Sequence, residues 1–432
     1  RFGRPERRIV IPMGFATLAE WLAFQETLHP QTIDLGLGRI REVLNRLNLP
    51  PVRAFTISVA GTNGKGSCVA MLDSILRTAG YRVGTYTSPH ILRYNERIGI
   101  DGVPATDERL LKAFATIEAA RGEISLSFFE FGTLAALILF SEEDLDFHLL
   151  EVGLGGRLDA VNVVDADIAL IASIDIDHQD WLGDNRESIG FEKAGIIRSL
   201  RPVVVGDPEA PDSILQVARE KGAPCYRSSQ DFSFQIDADR WFWVGEGQRL
   251  GPLPFPAIPG DHQFLNGSAV IQCLELLPAA CRVGVDAIAD GLRKVRLPGR
   301  FQFFAGAPPV LLDVAHNPQS VGILARHLAK NYPQKRVHAV FSVMRDKDVS
   351  AIVRLIQDQI HAWYLAPLNM TRAASPVELA EILHNAGVTR VEAGFANVGE
   401  AFAAAQEASG TDDMVLVFGS FFLVSDYLAM VA

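Results

Sequence analysis

The segment GTNGKGS, residues 61–67, combines residue types that bind phosphate. Its three glycines let the backbone bend tightly and turn N–H groups toward an anion, and Lys65 adds a positive charge. An apolar strand pattern precedes the segment and a helix pattern begins near Ser67, so the positive end of a helix dipole would also face the anion. The sequence therefore predicts a nucleoside triphosphate site.

The match to the P-loop pattern G-x-x-x-x-G-K-[ST] is imperfect. Val59 stands where the first glycine is expected, and Gly66 occupies the Ser/Thr position, with Ser67 one place late. A glycine-rich turn with an incidental lysine is the alternative interpretation. The strand-loop-helix context favours the phosphate site.

Two further segments indicate a metal site beside the phosphates. Glu151 comes directly after an apolar run, where a carboxylate can reach Mg²⁺. His178, in DIDHQDWLG (175–183), lies among three carboxylates after a predicted strand, and α/β folds build their sites at strand ends. A solvated strand-end glutamate and a structural histidine are the alternatives.

Alternating strand and helix patterns must position these residues. The length of 432 residues predicts two or three domains. Short β-branched runs alternate with amphipathic helices from about residue 55, which is typical of a mostly parallel sheet. Residues 225–258 are turn-rich and predict antiparallel hairpins, and a second strand-helix series begins after LPGRFQ (297–302).

The predicted fold class is therefore α/β. A P-loop NTPase-like, mostly parallel sheet domain with a small antiparallel sheet insert would span residues 1–296. A C-terminal Rossmann-like, doubly wound domain would span residues 297–432, and ATP would bind between the two.

Composition excludes several classes of protein. The net charge of -11 argues against a dedicated nucleic-acid binder, and the four cysteines show no zinc-binding or disulfide spacing. The longest apolar stretches, about ten residues, are too short to span a bilayer. The basic N-terminus is not followed by the apolar core of a signal peptide. We therefore expect a cytoplasmic protein with no nucleic-acid or membrane partner.

Seven motifs in one chain, in this order, resemble the bacterial folylpolyglutamate synthase/dihydrofolate synthase family, relatives of the Mur ligases. They are GTNGKGS (61–67), TSPH (87–90), EVGLGGRLDAVNVV (151–164), DHQDWLG (177–183), EKAGIIR (192–198), LPGRF (297–301) and DVAHNP (313–318). The resemblance covers nearly the whole chain. The glycine after the lysine in GTNGKGS is this family's own form, which explains the departure from the P-loop pattern.

The resemblance implies an ATP-dependent ligase that activates a substrate carboxylate as an acyl phosphate, which L-glutamate then attacks. It implies a nucleotide site at Gly61, Thr62, Asn63, Gly64, Lys65, Gly66, Ser67, Asn266, Arg300 and Asp313. It implies Mg²⁺ at two positions with Ser88, Glu151 and His178 as ligands, and it allows a monovalent cation as well. The implied catalytic residues are Lys65, Glu151, His178, Lys193 and His316.

Lys193 is a special case. The helix pattern alone predicts an exposed lysine on the surface of a helix. The resemblance instead implies that its amine is carbamylated, which would convert a cation into an anion that can support the second metal.

The segment GEISLSFFEFGT (122–133) resembles the part of the bifunctional enzymes that binds dihydropteroate. The implied pterin pocket consists of Thr27, Leu28, His29, Ser127, Phe128, Phe129, Glu130, Leu158, Asp159 and Ala160. A phenylalanine would stack on the heterocycle and Asp159 would accept its N–H donors, although the two phenylalanines are also consistent with a helix core. The resemblance thus favours a monomeric, bifunctional enzyme that uses dihydropteroate, reduced folates and L-glutamate.

Other functions stay open at this stage. An enzyme with folylpolyglutamate synthase activity alone would not convert dihydropteroate to dihydrofolate. A Mur-type peptide ligase would need an additional domain, for which the roughly 50 residues before the phosphate loop leave little room. A non-ligating P-loop NTPase would hydrolyse ATP without glutamate, and a dehydrogenase is disfavoured because GLGGRLDA has the wrong spacing for a dinucleotide.

Overall fold

The computed structural model describes residues 15–29, 31 and 34–431. Its largest sheet has eight strands in the order β4-β3-β2-β5-β1-β6-β7-β8. All pairings are parallel except those of β3 with β2 and with β4. The strands are β1 (Phe55–Ala60), β2 (Val83–Tyr86), β3 (Ile98–Ile100), β4 (Val103–Pro104), β5 (Phe147–Glu151), β6 (Ile168–Ile171), β7 (Val203–Val205) and β8 (Cys225–Arg227).

Helices cover both faces of this sheet, so its central strands are buried on both sides and read as continuous apolar runs. In β6, Ile168 packs into one core and Ile171 into the other, as the two-residue period of a strand requires. The helices are α1 (Leu18–Leu28), α2 (Gly38–Leu47), α3 (Lys65–Thr78), α4 (Asp107–Arg121), α5 (Phe128–Ser141), α6 (Gln179–Leu182), α7 (Arg186–Ala194), α8 (Asp212–Glu220), α9 (His262–Glu275) and α10 (Val285–Lys294).

A small antiparallel sheet packs against this layer, as the hairpin pattern predicted. Its strands are β9 (Ser233–Asp237), β10 (Arg240–Gly245) and β11 (Gln248–Pro254), with β10 in the centre. Trp241 and Trp243 of β10 are buried in the same core as Phe264 of α9. We call residues 15–294, where described, the first lobe.

A six-stranded sheet with order β12-β13-β17-β14-β15-β16 forms the centre of the second lobe, a name we use for residues 299–431. Only β12 is antiparallel to its neighbour. The strands are β12 (Gln302–Phe304), β13 (Val310–Asp313), β14 (Val337–Phe341), β15 (Ile360–Leu365), β16 (Val391–Glu392) and β17 (Met414–Phe418). The helices, which form a core on each face, are α11 (Pro318–Asn331), α12 (Val349–Ile356), α13 (Pro376–Asn385), α14 (Val398–Ala408) and α15 (Phe421–Val431).

The predicted fold class is confirmed, including the antiparallel insert and the doubly wound second sheet. The pattern did not reveal β3, β4 and β12, which have two or three residues each and pair antiparallel at sheet edges. The division of the chain between residues 296 and 297 stays a prediction. Within the described residues, no helix is both long and apolar enough to cross a membrane.

Candidate active site

The phosphate loop lies between β1 and α3, as predicted. Gly64 has a left-handed φ of +84°, and a Cβ there would lie 2.6 Å from the side-chain oxygen of Asn266, so only glycine fits. The Lys65 ammonium donates to the carbonyls of Gly61 at 3.0 Å and Thr62 at 3.2 Å. Desolvation lowers the pKa of Lys65, and the charge of Glu151 acts in the opposite direction. The loop therefore presents a cation held only by backbone carbonyls, which suits a phosphate.

Gly66 brings the loop close to the predicted metal ligands. A Cβ on Gly66 would lie 3.9 Å from both carboxylate oxygens of Glu151. Glu151 is buried at the end of β5, and its Oε2 accepts the backbone N–H of Ser88 at 3.2 Å. Burial raises the pKa of Glu151, whereas the neighbouring Lys65 lowers it. A carboxylate thus lies beside the Lys65 ammonium, the arrangement that a nucleotide-bound metal would require.

His178 follows β6 and has a left-handed φ of +52°. Burial lowers the pKa of His178 to about 4, so its imidazole is neutral at physiological pH and can act as a ligand. Across residues 15–29, 31 and 34–431, however, no group of three or more His, Cys, Asp or Glu side chains is arranged to hold a metal ion. The donor set fits a Mg²⁺ that also takes phosphate and water oxygens, because Mg²⁺ usually keeps several waters.

The second lobe contributes Arg300, Asp313 and His316. The Arg300 guanidinium donates to the Gly299 carbonyl at 3.2 Å and lies 5.1 Å from the ring centre of Phe421. Asp313 accepts the backbone N–H groups of Phe301 at 3.0 Å and Ala315 at 2.8 Å. Burial raises the pKa of Asp313 to about 6, and Arg300 opposes that shift.

The ring of His316 is fixed by the backbone. Its Nδ1 lies 2.8 Å from the Val314 carbonyl, which can only accept, so Nδ1 carries the proton and Nε2, 3.8 Å from Asp177 Oδ2, carries none. Burial lowers the pKa of His316, which favours this neutral form.

One cleft of about 530 Å³ joins these groups from both lobes. It brings together all the predicted nucleotide, metal and catalytic residues except Asn266. Asn266 lies behind the loop against Gly64 and donates to Gln263 at 2.9 Å. The residues that line the cleft include Gly61, Thr62, Asn63, Gly64, Lys65, Gly66, Ser67, Ser88, Glu151, His178, Lys193, Arg300, Asp313 and His316.

Lys193 is buried near the end of α7, so the expectation of an exposed lysine is wrong. The reason is a close contact that helical periodicity cannot reveal. Gly156 packs so tightly on the α7 backbone that a Cβ there would lie 2.9 Å from the carbonyls of Glu192 and Lys193. Desolvation lowers the pKa of Lys193 to about 7, and repulsion by Lys65 adds to this shift. Lys193 makes no ion pair with any described residue.

The predicted pterin residues lie around the start of α5. His29 lies between Ser125, with an Nδ1–Oγ distance of 2.9 Å, and Asp34, with an Nε2–Oδ2 distance of 3.0 Å. This joins His29, directly after α1, to a residue two positions before the α5 N-cap Ser127, whereas Thr27 is exposed and Leu28 half-buried at the end of α1. Ser127 and Glu130 form the capping box of α5, and buried Glu130 pairs with Arg39 at 3.2 Å. These two polar side chains therefore also hold the helix start in place.

Phe128 and Phe129 are half-buried, so neither belongs entirely to a helix core. The Phe129 ring lies 5.6 Å from that of Tyr86 and covers Gly153. Asp159, between half-buried Leu158 and buried Ala160, accepts backbone N–H groups of Leu154 at 2.8 Å and Val161 at 3.0 Å. These bonds occupy lone pairs that the predicted contact with pterin N–H groups would use, and that contact stays a prediction.

Sequence reasoning missed the contacts between the lobes. Asn63 of the phosphate loop contacts Asn317 and Gln319, and Asp177 contacts Asn317 and Lys347. The motifs DVAHNP and DHQDWLG contain Asn317 and Asp177, so two of these residues could have been suspected. No sequence signal pointed to Gln319 or Lys347.

The fold and the site together define a class of protein. The family model of the Mur ligase middle domain matches residues 59–241, and that of the Mur ligase glutamate ligase domain matches residues 299–421. The chain is 42% identical over 420 residues to the dihydrofolate synthase/folylpolyglutamate synthase of Escherichia coli K12, covering 97% of each sequence.

Solved structures agree. E. coli FolC in complex with DHPP and ADP superposes with a TM-score of 0.90 at 42% identity, over 97% of this chain and 99% of that one. A bifunctional folylpolyglutamate synthase/dihydrofolate synthase with Mn, AMPPNP and L-glutamate bound has a TM-score of 0.89 at 43% identity, over 98% and 99%. The protein belongs to the dihydrofolate synthase/folylpolyglutamate synthase family. The predicted activity class, an ATP-dependent ligase that uses a divalent metal, is confirmed.

Proposed function

We propose that the protein joins L-glutamate to dihydropteroate, forming dihydrofolate, and then adds glutamate to reduced folates. The observation that carries this proposal is the single cleft in which Lys65 and Glu151 of the first lobe face Arg300 and Asp313 of the second. The similarity to bifunctional relatives over nearly the whole chain supports both activities. The test is glutamate-dependent ADP formation, with dihydropteroate and tetrahydrofolate assayed side by side.

The reaction needs positioning and charge neutralisation. A substrate carboxylate oxygen attacks the γ-phosphorus of ATP, the bond to the ADP oxygen breaks, and an acyl phosphate forms. The glutamate nitrogen then attacks the acyl carbon, phosphate leaves with the C–O bond electrons, and the amine loses a proton. We assign phosphate binding to Lys65 and Arg300, because Lys65 provides a point charge and Arg300 a planar fork of donors. We assign His316 Nε2 as the proton acceptor.

We assign Ser88, Glu151 and His178 as the protein ligands of Mg²⁺, which when bound neutralises the charge on the transferring phosphoryl group. The second Mg²⁺ position and the monovalent cation of the sequence prediction remain proposals. Because so few protein side chains converge here, metal binding should depend on the nucleotide. Calorimetric titration with Mn²⁺ should show binding at least roughly tenfold tighter when ADP is present than when it is absent. Equal affinity in both conditions would contradict this donor set.

Arg300→Ala should lower kcat/KM for ATP at least roughly tenfold, because it removes a charge-assisted contact from the cleft. The fold should persist, since the side chain hydrogen-bonds only to the neighbouring Gly299 carbonyl. Arg354→Ala is the matched control, because Arg354 is exposed on α12 of the same lobe. Unchanged turnover in Arg300→Ala would remove Arg300 from the nucleotide site.

We further propose that Asn266 supports the nucleotide site through Gly64, and that Lys193 is carbamylated. We place the pterin between the end of α1, the start of α5 and residues 158–160. The two half-buried phenylalanines, Phe128 and Phe129, are the candidates for stacking on the ring. Failure of dihydropteroate to stimulate ADP formation, with tetrahydrofolate still active, would leave only the polyglutamylating activity.

We propose that the enzyme is a cytoplasmic monomer without nucleic-acid or membrane partners, with a domain boundary between residues 296 and 297. Its free cysteines are consistent with a reducing compartment. Size-exclusion chromatography with light scattering tests the oligomeric state: a mass near the chain's 47.1 kDa is expected.

A further inference from the structure

A buried ion pair joins the two lobes beside the proposed metal site. Lys347, in the loop after β14, donates from Nζ to Oδ1 of Asp177, in the loop after β6, at 2.6 Å. The two side chains are only 6% and 8% exposed. Burial of both charges costs desolvation energy that their attraction offsets only partly, so stability alone is a weak reason for the pair. A role in setting geometry is the alternative.

This ion pair contacts the backbone turn that orients the His178 side chain. The Asp177 Oδ1 that accepts from Lys347 also accepts the backbone N–H of His178 at 2.8 Å. His178 has a left-handed φ, which is uncommon for a residue other than glycine and depends on the surrounding contacts. Lys347 therefore acts on the turn that aims the imidazole, although no hydrogen bond or ion pair joins it to the imidazole itself.

A second contact connects the same carboxylate with the phosphate loop. Asn317, the N-cap of α11, donates to Asp177 Oδ2 at 3.1 Å and to Asn63 Oδ1 at 3.1 Å. Asn63 returns a bond to Asn317 Oδ1 at 3.2 Å. We name these four residues, Asn63, Asp177, Asn317 and Lys347, the interlobe catch. They join the phosphate loop, the His178 turn and the second lobe in one polar network, in which Asn317 and the side chains of Asp177 and Lys347 are buried and Asn63 is half-buried.

We propose that Lys347 is a positioning residue for the ligase reaction: by pairing with Asp177 it holds His178 and the phosphate loop in their working geometry only when the second lobe is docked. The proposal rests on the proposed function, because it gives Lys347 a part in that reaction. Docking of the second lobe, which brings Arg300 and Asp313 to the nucleotide, would also order the first lobe's own residues.

The test compares Lys347→Met, Lys347→Arg and Asp177→Asn with the double variant Lys347→Met/Asp177→Asn. Lys347→Met should lower kcat at least roughly tenfold and change the KM for ATP and for glutamate by less than about threefold. Lys347→Arg should keep more activity, because it retains a cationic donor for Asp177. The double variant should be within about twofold of the worse single variant, because each substitution already removes the Lys347–Asp177 ion pair.

Lys330→Met is the matched control. Lys330 also pairs across the lobes, with Asp261 at 2.8 Å, but both side chains are exposed, and neither residue belongs to the catch. This variant should keep wild-type kcat. An equal loss in Lys330→Met would mean that any contact between the lobes matters, and the proposal would be wrong.

Other results would also overturn it. These are a Lys347→Met enzyme with wild-type kcat, additive losses in the double variant, or a loss confined to the KM for glutamate, which would make Lys347 a substrate contact. If Lys347→Met does not fold, judged by ADP binding in calorimetry, comparison of Lys347→Arg with Asp177→Asn decides: the proposal requires the greater loss in Asp177→Asn. Inactivity of the unsubstituted protein would instead refute the proposed function.

Discussion

Lys65→Met should lower the rate of glutamate-dependent ADP formation by roughly 100- to 1000-fold, which is the loss expected when a preorganised charge is removed from a water-poor site. Among the residues that the structure describes, the ammonium donates hydrogen bonds only to the Gly61 and Thr62 carbonyls, and it lies beside Glu151. Without this positive charge, repulsion between the ATP phosphates and the Glu151 carboxylate would be less compensated. Steady-state kinetics with saturating glutamate and folate measures the loss.

The fold should tolerate this substitution, because methionine has a similar length and no charge to desolvate. The unfolding temperature of Lys65→Met should therefore equal or exceed that of the wild type. Lys294→Met, at an exposed position near the end of α10, should keep full activity. A fully active Lys65→Met enzyme would place the triphosphate elsewhere.

Lys193→Ala should lower kcat by roughly 100-fold, the upper range for a group that supports a metal site. In the proposed modification, the neutral amine of Lys193 attacks the carbon of CO₂, an N–C bond forms and a proton is released. Burial lowers the pKa of Lys193 to about 7, so the reactive neutral amine predominates above that pH. Carbamate occupancy should therefore fall as pH decreases from 8 to 6.

Labelling with ¹³CO₂ and NMR detection measures the carbamate directly. A signal present in the wild type and absent in Lys193→Ala is expected, and short carboxylates such as acetate should restore part of the variant's activity. Lys112→Met controls for loss of an exposed first-lobe lysine. A wild-type enzyme without the signal, with or without bicarbonate, would show that the buried amine works unmodified.

The parallel sheets could be predicted because strands that are buried on both faces have short, continuous apolar sequences, such as FTISVA at β1. The phosphate loop was predictable for a similar reason, since its glycines and lysine are contiguous. Glu151 was predictable because it ends a strand of such a sheet, whereas Asp313 was implied only by the resemblance of DVAHNP to the family motif. Local pattern was thus sufficient for the longer strands and helices and for Glu151.

Contacts between distant segments were not predictable in this way. Lys193 has the sequence context of a surface lysine, but segments distant in the chain, such as the one around Gly156, pack against α7 and it is buried. Lys347 lies 170 positions from its partner Asp177 in the sequence, in a loop that contains no recognisable motif. The short strands β3, β4 and β12 have too few residues to show a period, and tertiary pairing alone makes them strands.

The sheet order has a consequence for biosynthesis. β1, at the centre of the first sheet, pairs with β5, where Phe55 opposes Phe147, and with β6, where Ile57 opposes Ile168. The paired residues of β5 and β6 are translated more than 90 positions after those of β1. During synthesis on a ribosome, the backbone N–H and C=O groups of β1 therefore lack their native partners for on the order of ten seconds. A chaperone that shields an apolar strand during elongation would therefore raise the yield of native enzyme most when it engages the chain before β5 and β6 emerge.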